Sequence, residues 1–479
     1  MSVHRGLLLL VFLLHVAVMV RALLVEGRDP YARLAWVLAL ALFPIGGVIG
    51  YAMFGEPWMS GRFRRQANRA YRRLENLPIA GPSEAPLRDL PDHFIGPFRT
   101  CERLSQSAAT DGNVVALMAD SDAAITQLVV DIEAAHDTIH ISFYIWLDDT
   151  NGLKVIDAVC AAARRGITCR IVADAIGSRA MIGSSHWAAM HRAGAKLCAS
   201  LSAPLGFGSI AAHRLDLRNH RKIVVIDNIV TYCGSQNCAD PAFLIKARFA
   251  PWVDIMLRLT GPIAVQNQLI FASAWAVETG EDLAPWLRTV TCPQGDGDVL
   301  AVAFGTGPLS PRGAMSGAFV SLLYAAKRAV VISTPYFVPD PPLFAAIIAC
   351  ARRGVETSLI LPKSNDSRAI GAISRALYPQ MIAAGVRIFE YSGGLLHAKT
   401  LVADGEVSLI GSANMDRRSL ELNFENNILL HSKALAAQIG GRQAVYLAAS
   451  NEITKDEIAA QSLVRELVQN VVAMASAIY

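Results

Sequence analysis

Two short stretches of the chain carry the same reactive side chains in the same order. The first runs Asn219-His220-Arg221-Lys222 and continues through Asp227 to Gly234-Ser235 and Asn237; the second repeats it as His397, Lys399, Asp404, Gly411-Ser412 and Asn414. Both fit His-x-Lys-x4-Asp, and coincidence is a weak account of two copies in 479 residues with only 11 histidines. Lysine is a compact cation that holds a phosphate oxygen, and Ser and Asn add neutral donors, so the set suits a phosphodiester anion. One neutral imidazole attacks phosphorus while a second, protonated, donates to the leaving oxygen. A single copy supplies one imidazole, so this chemistry needs both. No Asp/Glu cluster at metal-ligand spacing accompanies them, which implies a route without metal or cofactor.

The elements that position these residues are hairpins. β-Branched and apolar runs flank Asp227-Asn228 and Asp404-Gly405, and Asp-Gly or Asp-Asn between such runs signals a tight turn. A two-residue turn would set Ile226 opposite Ile229, Lys222 opposite Cys233 and His220 opposite Ser235. In the second copy it would set Ala403 opposite Glu406 and His397 opposite Ser412. Because side chains alternate along a strand, His220, Lys222, Ser235 and Asn237 would then share one face, and so would His397, Lys399, Ser412 and Asn414. A turn favours Asp for its own backbone reasons, so Asp227 and Asp404 are read as structural.

The repeat extends beyond the hairpins. Ala134-Ala135-His136-Asp137 leads into Ile139 to Tyr144 as Ala325-Ala326-Lys327-Arg328 leads into Val330 to Tyr336; Ala163-Arg164-Arg165-Gly166 matches Ala351-Arg352-Arg353-Gly354; Ala193-Gly194-Ala195 matches Ala384-Gly385-Val386. Each half reads as helix, strand, helix, strand, helix, strand, then the hairpin. Short apolar strands alternating with amphipathic helices predict α/β layered domains. Two of them can bring their His-Lys faces together, although nothing in the spacing proves that they meet.

The chain is 18% charged, with a mean hydropathy of +0.35, values that suggest a membrane segment. Gly6 to Val25 is apolar except for His15 and Arg21, and Leu34 to Phe54 is an uncharged run containing Pro44, Gly46, Gly47 and Gly50. The second is long enough to cross about 30 Å of hydrocarbon; the first spans only if Arg21 snorkels to an interface. A cleaved signal peptide is disfavoured, because no Ala-x-Ala-like site follows and a second apolar segment comes at once. Arg62, Arg64, Arg65, Arg69, Arg72 and Arg73 cluster after the second segment, which puts the remainder of the chain in the cytoplasm. That cluster serves equally as a topology signal or as a surface for anionic headgroups.

Pro78, Pro82, Pro86, Pro91 and Pro97 mark a tether between membrane and catalytic body. The expected organisation is an anchor over 1–56, a basic and proline-rich linker over 57–112, a first domain over 113–290 and a second over 291–479. The eight cysteines form no paired Cys-x-x-Cys set, so free, mostly buried thiols are expected. A net charge of +4 is too small to argue for nucleic acid.

The paired motifs, with Gly234-Ser235 and Gly411-Ser412 following at the same distance, resemble the phospholipase D superfamily. Arg218-Asn219-His220-Arg221-Lys222, Ser333-Thr334-Pro335-Tyr336-Phe337-Val338-Pro339, Asn414-Met415-Asp416-Arg417-Arg418-Ser419 and the stretch to Glu425 are similar to its bacterial cardiolipin synthase branch. So are Trp36, Pro44, Gly47, Tyr51 and Phe54-Gly55 in the apolar region. The resemblance implies two phospholipase D-like α/β/α domains packed around one shared active site and preceded by transmembrane helices. It implies a catalytic set of His220, Lys222, Asp227, His397, Lys399 and Asp404, supported at the phosphate by Ser235, Asn237, Ser412 and Asn414. His220 would be the nucleophile and His397 the general acid and base. An acidic residue downstream of each motif would orient a histidine; Asp254 and Glu425 fit, with the pairing open to crossing between halves. Ser235 departs from the branch, which usually has a second Gly there.

The function expected is a transferase of the bacterial inner membrane, facing the cytoplasm, that joins two phosphatidylglycerol molecules into cardiolipin and glycerol. Its partners would be phosphatidylglycerol and anionic lipids, without nucleic acid. A phospholipase D, another phosphatidyltransferase, or a membrane-tethered nuclease are the alternatives.

Overall fold

The computed structural model describes residues 2–25, 30–56, 59, 61–75, 77, 87–202 and 216–475. Pro78, Pro82 and Pro86 of the expected tether, and Arg28 in the loop between the apolar segments, lie outside them. The chain divides into two compact units, one of Gly61–Ser202 with Leu217–Ala460, the other of Met1–Ser60 with the 203–216 and 461–479 segments.

The larger unit is built on strands that repeat. The first half contributes β1 (Thr110–Leu117), β2 (Thr138–Phe143), β3 (Thr168–Asp174), β4 (Lys196–Ser200), β5 (Ile223–Ile226), β6 (Val230–Gly234), β7 (Trp252–Val253) and β8 (Met256–Thr260). The second contributes β9 (Val299–Thr306), β10 (Ala329–Ser333), β11 (Phe337–Val338), β12 (Glu356–Pro362), β13 (Arg387–Tyr391), β14 (Leu395–Leu396), β15 (Thr400–Ala403), β16 (Val407–Gly411), β17 (Met415–Asp416), β18 (Glu425–His431) and β19 (Ser450–Glu452). Fifteen of these form one sheet in the order β19-β13-β12-β10-β15-β16-β18-β9-β1-β8-β6-β5-β2-β3-β4.

Each half has the expected three parallel strands and hairpin. Further strands, absent from the expected order of elements, bracket them. β8 and β18 extend the hairpins, and β1 and β9 pair antiparallel at the centre across a bulge at Gly112, whose φ of +78° suits glycine. The parallel strands are largely buried because helices cover both faces. In the first half, Ser121–Glu133 and Thr150–Arg164 pack over Ile139, Ile141 and Ile171, while Ile263–Thr279 brings Phe271 and Trp275 against Val172 and Val225 on the other face. Equivalent caps start the second helix of each half: Asp149 accepts from Gly152 N–H and Asp340 from Leu343 N–H. All eight cysteines are free.

Three expectations are corrected. The hairpins hold three-residue turns, so Ile226 faces Val230 and Ala403 faces Val407, one residue off the expected register. Asp227 and Asn228 both take positive φ (52° and 56°), as do Asp404 and Gly405 (54° and 67°), a conformation that Asp, Asn and Gly tolerate best. The stretch read as tether carries the helix Asp92–Ser105, which buries Phe94, Phe98 and Cys101 in the core of the second half. Its apolar positions follow helical spacing, a signal that the surrounding prolines obscured. The Leu34–Phe54 run is not one helix: Pro30–Leu42 ends before Pro44–Gly50, and Tyr51–Gly55 closes as a π-helix. Pro44 has no N–H to continue the ladder and pushes Phe43 out of helical conformation (φ −128°, ψ 73°).

In the smaller unit, the helix Ser2–Leu24 exposes Leu9, Leu10, Val11, Phe12, Leu13 and Leu14. Trp36 meets Tyr51 edge-on at 5.1 Å beside Ala22 and Leu40. Arg21 forms two hydrogen bonds with Glu56, at 2.9 and 2.7 Å. Among the described residues no helix is long and apolar enough to cross a membrane.

Candidate active site

The two motifs sit where the regular ladders stop. His220 and Lys222 precede β5, and His397 and Lys399 precede β15; the shifted register therefore does not decide which way they face. Another pairing does. The backbone around Asn219 runs parallel to that around Phe424, with His220 N–H donating to Phe424 O at 2.9 Å and Phe424 N–H to Arg218 O at 2.9 Å. Reciprocally, β14 runs parallel to β7, and His397 N–H donates to Val253 O at 2.8 Å. Each histidine thus rides on a segment of the other half, one residue before that half's acidic residue.

The carboxylates consequently cross. Glu425 holds His220 Nδ1 at 2.9 and 3.0 Å through its two oxygens, and Asp254 holds His397 Nδ1 at 2.6 Å. Each carboxylate is held in turn by the serine of its own half: Ser235 donates to Asp254 at 2.5 Å, and Ser412 to Glu425. The Gly-Ser pairs make this possible, because a Cβ on Gly234 would overlap Ile255 O and one on Gly411 would overlap Asn426 O. Ser235 and Ser412, expected at the phosphate, are turned to the carboxylates instead. Ser235, the departure from the usual second Gly, has the same role as Ser412.

The four basic side chains are buried, with His220 7%, Lys222 1%, His397 3% and Lys399 4% exposed. Each ammonium donates to the carbonyl of its own motif's histidine, Lys222 at 2.7 Å and Lys399 at 2.6 Å, which uses one of its three donors. Burial lowers Lys222 to about 8 and Lys399 to about 7, the second also depressed by the first. Burial likewise lowers both histidines to about 4, against the pull of their carboxylates; Lys399 depresses His220, and Lys222 depresses His397. Mutual influence of this kind requires the two motifs to occupy one site. Burial alone would raise Asp254, but His397 and Lys399 outweigh it and leave it at about 2; Glu425 is lowered against burial by His220. Both carboxylates are therefore ionised acceptors, and each leaves Nε2 of its imidazole as the reactive nitrogen.

The third motif residue belongs to the turn. Asp227 accepts from the N–H groups of His136, Asp137 and Thr138, and Asp404 from those of Lys327, Arg328 and Ala329. Asn237 accepts from Ile145 N–H at 3.2 Å and Asn414 donates to Asp416 at 3.3 Å. Two aromatic neighbours were missed. Tyr144 lies 4.9 Å from the His220 ring with Lys222 Nζ 5.3 Å from its own, and Trp252 lies 4.8 Å from His397. The internal repeat already aligned Tyr144 with Tyr336, whose hydroxyl donates to Asp366 at 2.7 Å.

Both the sequence and the fold have counterparts among known proteins. The family model described as "Cardiolipin synthase, PLD-like domain" matches residues 128–259 and 319–441, and one described as "Phospholipase_D-nuclease N-terminal" matches 7–56. Cardiolipin synthase A of Escherichia fergusonii is 36% identical over 466 residues, 94% of this chain and 93% of that protein. Cardiolipin synthase A of Edwardsiella ictaluri is 36% identical over 441 residues, covering 90% and 89%. The crystal structure of phosphatidylserine synthase from Haemophilus influenzae superposes with a TM-score of 0.56 at 14% identity, covering 86% of this chain and 98% of that one, a likeness of fold. With both repeats and nearly the full length matched, the chain belongs to the cardiolipin synthase family of phospholipase D-like proteins.

Proposed function

We propose that this protein is a cardiolipin synthase, which transfers a phosphatidyl group from one phosphatidylglycerol to the terminal hydroxyl of another and releases glycerol. The observation that carries it is the pair of crossed dyads, His220–Glu425 and His397–Asp254, with Lys222 and Lys399 each bonded to the backbone of its motif's histidine. Two equivalent imidazoles suit two successive displacements at one phosphorus.

In the first step His220 Nε2 forms a bond to phosphorus while the bond to the glycerol oxygen breaks. His397 donates its proton to that oxygen, and glycerol departs. In the second step His397 takes the proton of the incoming phosphatidylglycerol hydroxyl, whose oxygen attacks phosphorus as the P–N bond breaks. Lys222 and Lys399 hold the non-bridging oxygens with their remaining N–H groups. The same two residues thus run forward and reverse proton transfers. Burial keeps both imidazoles neutral in the empty site, as the nucleophile requires; the entering phosphate anion favours protonation of His397, as the acid requires. The family resemblance assigns His220 as the nucleophile, and the catalytic set comprises His220, Lys222, His397 and Lys399.

The apolar N-terminal region is proposed as a membrane anchor of more than one pass, with the catalytic unit in the bacterial cytoplasm. Support comes from the exposed run Leu9 to Leu14 and from the exposed arginines Arg64, Arg65, Arg69, Arg72 and Arg73 along the helix Gly61–Glu75. The test incubates purified protein with phosphatidylglycerol alone and identifies products by mass spectrometry. Cardiolipin and glycerol in equal amounts are expected; phosphatidic acid as the main product would make it a hydrolase, and no lipid turnover with cleavage of DNA a nuclease.

A further inference from the structure

Arg221 stands between His220 and Lys222, and along an extended segment its side chain projects to the opposite side. It is 4% exposed, with the Tyr71 hydroxyl as its hydrogen-bonding neighbour and the Phe424 ring 4.9 Å from its guanidinium carbon. Among the described residues it has no carboxylate within salt-bridge reach, and its buried Nε lacks a hydrogen-bond partner. Glu278 and Glu425 lie in its wider surroundings but are engaged with Leu201 N–H and His220. A buried cation so weakly compensated is costly.

The same residue lines a cavity of about 520 Å³, within the range of about 300–1,000 Å³ usual for ligand sites. The lining is mixed: Leu74, Leu77, Leu104, Leu269, Ile270 and Leu309 supply apolar surface among serine, glutamine and asparagine side chains. Thr306, whose buried hydroxyl has no partner, lines the same cavity. One buried cation in a lining that also offers six leucine and isoleucine side chains matches an amphiphile with a single anionic head.

The geometry points to this cavity as a second binding site, for a tail-bearing phosphate, separate from the phosphate position between the histidines. Arg221 and Thr306 take the head and the leucine side chains take methylenes. The class includes phosphatidylglycerol and its transfer product, so this inference rests on the phospholipid reading for the natural ligand, whereas binding itself is read without turnover. Free phosphate offers the same charge without the tail; the apolar side chains favour the lipid form.

The test uses full-length protein in neutral detergent carrying His220→Ala, which blocks turnover. Native mass spectrometry counts bound oleoyl lysophosphatidate, with mono-oleoylglycerol and inorganic phosphate as the uncharged and tailless probes. Two lysophosphatidates per chain are expected, falling to one with Arg221→Gln and to one with Leu309→Trp, which adds bulk to the cavity lining outside either motif. Neither control probe should displace the second molecule at equal concentration. A single lysophosphatidate with native Arg221, or a count of two that survives both substitutions, overturns the site. Displacement by inorganic phosphate alone would overturn its lipid character. Leu309→Trp decides the matter if Arg221→Gln does not fold, and none of these outcomes depends on which product the enzyme forms.

Discussion

His397 Nδ1 lies 2.6 Å from Oδ1 of Asp254, a residue 143 positions earlier and in the other half of the repeat. His220 and Glu425, 205 positions apart, mirror it at 2.9 Å. Neither half contains a complete dyad, so the site exists only when both halves are folded and paired.

Crossing makes a separable prediction. Glu425→Gln should impair His220, the attacking imidazole, and Asp254→Asn should impair His397, the proton carrier. Each should lower kcat by roughly 10²–10⁴. With phosphorus-labelled phosphatidylglycerol and a denaturing quench at neutral to alkaline pH, where the P–N bond survives, Asp254→Asn should accumulate labelled protein while Glu425→Gln accumulates little. The reverse pattern would exchange the two histidines' roles.

The same labelling distinguishes the histidines directly. His220→Ala should carry no label, and His397→Ala should form the adduct and discharge it slowly. Equal labelling of both variants would refute a single nucleophile.

The pH profile follows from the lysines. Burial holds Lys399 at about 7 and Lys222 at about 8, so the empty site loses phosphate-holding charge as pH rises through this window, and kcat/KM should fall there. The limb belongs to the pair and not to one residue. Lys399→Arg keeps its charge and should move the limb upward, whatever it does to the maximum. Stability runs the other way: both native values lie below the unfolded one, so the unfolded chain binds more protons between about pH 7 and 10.5, and these two groups favour the fold more as pH rises. Urea titrations at several pH values read that slope.

Asp404 should matter for stability and little for chemistry. Its carboxylate accepts three backbone N–H groups at the start of β10, and Asp404→Ala leaves them without an acceptor, at a cost of about 2–4 kcal/mol. Burial raises its pKa, but those N–H groups lower it further; its contribution is present above the unfolded value near 4 and lost as pH falls through the folded one. A lowered urea midpoint with kcat retained in the folded fraction is expected. Loss of kcat at full stability would return Asp404 to the catalytic set.

Much of this site was legible in order and spacing alone. Two His-x-Lys copies, the serines after Gly234 and Gly411, and the helix-strand periodicity of each half are local patterns, set by side-chain chemistry and backbone preference within a few residues. The turn residues Asp227 and Asp404 were legible for the same reason: they serve their own backbone. Register was not, since Asp227-Asn228 and Asp404-Gly405 admit two-residue and three-residue turns that differ by one pairing step. The helix Asp92–Ser105 was hidden by the prolines before it and by Pro97 within it, and shows itself only through the core it enters. The choice of carboxylate for each histidine lay beyond the sequence altogether. It is made by β14 pairing with β7 and by Asn219 pairing with Phe424. Such contacts belong to the assembled sheet, in which β1 and β9 join the two halves, and no local preference encodes a hydrogen bond between residues 143 or 205 positions apart.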